Sequence, residues 1–92
     1  MFRAFDEGVA FRYVFPEKSG LKVTVESEAT GFSIPEGSDA WMSPYESPRQ
    51  NGQPAYELDF LTVKAGTPSP EKYGWAFPLL FNSNKQWIFI SE

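Results

Sequence analysis

Carboxylates and aromatic rings are the side chains of this sequence that could do chemistry. Asp6 with Glu7, Glu26 with Glu28, and Glu57 with Asp59 are close pairs. Two carboxyl groups facing each other across a cleft can act as acid and base, or acid and nucleophile, on a glycosidic bond. Strand alternation puts Glu26 and Glu28 side by side on one face, which equally describes the wet side of a sheet. Glu92 is different. Alternation with Ile88 and Ile90 sets it on an apolar face at the end of an apolar strand, where a lone carboxylate is costly. A cation such as calcium, which takes carboxylate oxygens, would offset that cost; a solvated chain end would as well. Trp41, Tyr45, Tyr73 and Trp75 lie in or beside two stretches rich in Pro and Gly. Loop aromatics either stack on the apolar faces of sugars or cover the open end of a core. Trp41 and Trp75 are the substrate-pocket candidates, and no residue is assigned a catalytic role.

Other chemistries are excluded by composition. The chain has no Cys and no His, so it has no thiol nucleophile, no disulfide and no His-based triad. No Gly-rich phosphate loop is present. The net charge of −4 is spread along the chain without a basic patch, which argues against nucleic acid as a partner. No apolar run is long enough to cross a membrane. The N-terminus does not read as a signal peptide.

The elements that must position these residues read as strands. Aromatic residues make up 17% of the chain and hydrophobic ones 41%, a composition for a β-rich core rather than disorder. Asp6, Glu7 and Gly8 predict a tight turn after a short strand at Phe2–Phe5, with Gly8 supplying a positive φ. The next strand runs through Phe15 and stops at Pro16. Val9, Phe11, Tyr13 and Phe15 form its core face. Arg12 lies half-buried between Ala10 and Val14 and pairs with a carboxylate, or contacts a ligand. Lys18–Gly20 predicts a turn. Leu21, Val23 and Val25 alternate with Lys22, Thr24 and Glu26, a strand with one wet face. Phe32 and Ile34 begin another short strand, and Ala40–Met42 is a brief apolar patch. Residues 43–55 contain Pro44, Pro48, Gly52 and Pro54 and read as a long loop, a place where function often sits. Tyr56, Leu58 and Phe60 predict a strand, and residues 65–74 a second loop. Phe77–Phe81 and Gln86–Ser91, joined by a turn at Asn82–Lys85, are apolar on both faces, as in a buried hairpin. No helical period appears. The fold class is all-β, an antiparallel β-sandwich.

Several of these stretches carry a resemblance. Asp-Glu-Gly-Val-Ala-Phe-Arg-Tyr at Asp6–Tyr13 resembles a motif in the N-terminal domain of glycoside hydrolase family 97, bacterial enzymes of the α-glucosidase and α-galactosidase type. Glu28-Ala29-Thr30-Gly31-Phe32, Ala40-Trp41, Tyr56-Glu57, Gly74 to Phe81 and Trp87 to Glu92 resemble later segments of that domain, in the same order. Each is weak alone; their order and spacing are fairly specific.

The resemblance implies a β-supersandwich of galactose-mutarotase-like type packed on a catalytic (β/α)8 barrel. Residues 1–92 would be a single partial domain, the central part of the N-terminal domain. Strands before Asp6 and after Glu92, the barrel and a C-terminal domain would lie elsewhere, and the uncapped strand at Glu92 agrees with that expectation. The chain would contribute to the active-site pocket without being catalytic alone. Calcium would be bound in the intact parent, with Glu92 as a ligand, and not tightly by this segment. The partners would be an α-glucoside or α-galactoside and the barrel, with possible self-association of the segment. The location would be periplasmic or extracellular. The alternative reading is a stand-alone carbohydrate-binding β-sandwich module.

Overall fold

The computed structural model describes residues 1–16, 20, 22–46 and 57–92. They form antiparallel sheets and no helix, as the expected all-β, β-sandwich class requires. Accordingly, no helix among the described residues is long and apolar enough to cross a membrane. The chain divides into two compact units, Met1–Thr30 and Gly31–Glu92.

The first unit is built on a hairpin of β1 (Phe2–Phe5) and β2 (Gly8–Phe11), with Phe5 opposite Gly8 and Phe2 opposite Phe11. The Met1 ammonium donates to the Arg12 carbonyl at 2.8 Å, and the Arg12 N–H returns a bond to the Met1 carbonyl at 2.9 Å. The expected hairpin is present, but three details differ. Gly8 is the first strand residue and has no positive φ. The ladder stops at Phe11, and among the described residues Tyr13 to Phe15 enter no strand. Val9, Tyr13 and Phe15 are therefore exposed rather than core-lining, and so is Arg12.

Residues 22–30 enter no ladder, and Val23 and Val25 are exposed. The expected strand with one wet face is therefore not formed among these residues, and both sets of alternating side chains are exposed. Tyr13 Oη and Thr30 Oγ1 are hydrogen-bonded at 2.7 Å. Thr30 Oγ1 donates to the Glu28 carboxylate, so it accepts from Tyr13. Lys18, Ser19 and Leu21 lie outside the described residues.

The second unit holds a four-stranded antiparallel sheet. Its strands are β3 (Asp39–Pro44), β4 (Leu61–Lys64), β5 (Trp75–Ser83) and β6 (Gln86–Ile90), in the order β4-β3-β5-β6. The sequence reading left β3 as a short patch and began a loop at Ser43. Instead β3 is an inner strand running through Pro44, which sits at its last position. Its even residues, Ala40 and Met42, are buried and form the core with Phe81 of β5. Ile34, Val63, Leu79, Ile88 and Ile90 pack around them. Phe32 and Ile34 are not in a strand, although Ile34 reaches the core as its apolar character requires.

The register between β3 and β5 shifts past Trp41. Trp41 faces Leu80 and Ser43 faces Ala76, so Met42 stands opposite Phe77, Pro78 and Leu79. Pro78 has no N–H to donate, and sheets place such residues at irregularities. The expected strand at 56–60 is displaced: residues 57–60 are not in a strand, and β4 begins at Leu61. Ser43 Oγ ties this segment down by donating to the Leu58 carbonyl at 2.7 Å. Tyr56, and the expected loop from residue 47 onward to 55, lie outside the described residues.

The β5–β6 hairpin forms as expected, closed by Asn84 and Lys85 with φ of 49° and 67°. Positive φ at both central residues matches the strand twist across a two-residue turn. The hairpin is not in the middle of the layer, however: β6 is an edge strand, and Trp87 and Phe89 are exposed.

After β4 the chain turns at Gly66, whose φ is +88° and whose added Cβ would meet nothing within 4 Å. Gly66→Ala should therefore cost backbone strain alone, roughly 1 kcal/mol. Gly8→Ala, at ordinary φ and also in open space, should change stability far less. Urea midpoints of the two variants check this; equal shifts would contradict it.

Candidate functional site

The two tryptophans singled out from sequence lie on opposite faces of the second-unit sheet. Trp75 opens β5 and packs on the core face with Met42 and Phe81. Its indole Nε1–H donates to the Thr67 carbonyl at 2.9 Å, so the polar edge of the ring is satisfied. With Phe32, Ile34, Glu36 and Met42 it lines an open cavity of about 590 Å³. Trp41 alternates with Ala40 and Met42 and so faces away from that cavity. Its ring lies 5.3 Å from that of Trp87, at an interplanar angle of 38°.

Register places a set of side chains around this second face. Thr62, Trp41, Leu80 and Phe89 form one row across the four strands. Lys64, Asp39, Asn82 and Trp87 form the next. Lys64 Nζ and the Asp39 carboxylate are paired at 2.5 Å, and Lys64 also donates to the Gly37 carbonyl at 3.2 Å. Sequence reasoning missed Trp87, because an apolar run of alternating direction reads as buried on both sides. The signal was the two-residue turn next to it: a strand starting at a tight turn can be an edge strand, and edge strands expose side chains.

Glu92 follows the end of β6 and is exposed. It borders a cavity of about 190 Å³ with Tyr45, Phe77, Pro78 and Ser91. Calcium takes six to eight oxygen ligands. Among the described residues no group of three or more His, Cys, Asp or Glu could hold a metal ion. Glu92 makes no metal site with its neighbours among the described residues.

None of the three cavities described here is lined by either member of any of the carboxylate pairs. Asp6 and Glu7 form the β1–β2 turn, Glu28 is held by Thr30, and Glu26, Glu57 and Asp59 are exposed. The cavity beside Trp75 carries one acid, Glu36, and the one beside Phe77 carries Glu92. A third, lined by Met1, Arg3, Ala10, Phe11 and Arg12, carries none. Acid–base cleavage needs two carboxyl groups at one cleft, and none of these three cavities provides that.

Comparison with known proteins agrees in extent. The family described as glycosyl-hydrolase 97 N-terminal matches residues 1–92. A probable retaining alpha-galactosidase of Streptomyces bingchenggensis (strain BCW-1) is 39% identical over 49 residues, which cover 53% of this chain and 7% of that protein. No solved structure matches the chain.

Proposed function

Because this chain belongs to the glycosyl-hydrolase 97 N-terminal family, whose membership makes it an accessory part of a glycoside hydrolase, we propose that it packs on a catalytic (β/α)8 barrel and helps to shape the active-site pocket. The observation that carries this is the match over the whole of residues 1–92. The dispersed carboxylates support the same division of labour: the acid and nucleophile belong to the barrel, and this chain supplies walls. Trp75, fixed by its bond to Thr67 beside the larger cavity, is the side chain here best placed to stack on a sugar. The name of the related α-galactosidase makes α-galactosides the first substrates to assay, with α-glucosides second. Such an enzyme acts on sugars outside the cytoplasm, in the periplasm or beyond.

The reading frame around this segment tests the proposal. A barrel hydrolase encoded in the same frame is the expected result. A frame with no hydrolase domain overturns it in favour of a stand-alone carbohydrate-binding module.

Calcium enters this reading through Glu92. When bound it would polarise or position oxygen groups at the junction with the barrel, and Glu92 would supply one carboxylate to it. In the longer enzyme, Glu92→Gln is expected to weaken calcium affinity at least tenfold, the effect of losing about 1.4 kcal/mol of binding. Calcium-dependent melting temperature reads this without reference to turnover. Unchanged calcium titrations of both melting and activity would remove Glu92 from the ligand set.

A further inference from the structure

We draw no further inference here: the strongest candidate, the open cavity of about 590 Å³ that Trp75 and Glu36 line on the core face of the second-unit sheet, belongs to the site already described, and nothing in the structure shows what covers it.

Discussion

Residues 1–92 alone are expected to hydrolyse neither a nitrophenyl α-galactoside nor a nitrophenyl α-glucoside above background. The reason is geometric before it is evolutionary. A retaining glycosidase holds two carboxyl groups about 5 Å apart, and an inverting one somewhat further, on either side of the scissile bond. None of the three cavities described above brings two carboxylates together. Glu28 accepts from Thr30, in a chain of hydrogen bonds that begins at Tyr13. Glu26 sits nearby on an exposed segment outside any ladder. Without two carboxyl groups at one of these cavities, most of the acceleration available to such enzymes is absent. The assay compares the purified chain with buffer at high protein concentration. Turnover that vanishes in Glu26→Gln or Glu28→Gln would show that the acid–base pair lies in this chain after all.

Phe81→Ala is expected to unfold the Gly31–Glu92 unit at room temperature or bring it to the edge of unfolding. Phe81 is 5% exposed, on the inner strand β5, opposite Ala40 and Ile88. The buried apolar set among the described residues is small: Ala40, Met42, Ala76 and Phe81. Phe81 is the largest of these, and truncating such a residue typically costs about 3–5 kcal/mol. A unit of this size is stable by on the order of 5 kcal/mol in total. The loss is thus comparable with the whole margin. Phe89→Ala removes the same ring from the exposed face and should cost less than about 1 kcal/mol. Urea unfolding followed by tryptophan emission separates the two. Similar midpoints for Phe81→Ala and Phe89→Ala would mean that the core is not where Ala40, Met42 and Phe81 place it.

Much of the second unit was legible because turn chemistry and periodicity agree there. The β5–β6 hairpin has two long apolar runs around Asn84-Lys85, and Asn tolerates the positive φ that the turn demands. The β1–β2 hairpin was legible for a similar reason. β3 was not. Its six residues end in Ser43 and Pro44, which locally signal a loop, and tertiary pairing on both sides overrides that signal. The tyrosine and phenylalanine alternation after Phe11 misled in the opposite way. It described a strand that finds no partner among the described residues, and an unpaired strand gains no ladder hydrogen bonds.

The sequence by itself determined the class of this protein: strands rather than helices, no thiol or imidazole chemistry, and an ordered series of segments that resembles one family of hydrolase N-terminal domains. These follow from composition, period and motif order, which are local. Which face each residue ends on was decided by tertiary structure. Trp41 and Trp75 looked equivalent in the sequence and lie on opposite sides of one sheet, the first against Trp87 and the second against the core. Side-chain direction alternates along each strand, but which direction is inward depends on the neighbouring strands and on the shift beside Pro78. That information is carried by long-range pairing and by no single stretch of chain.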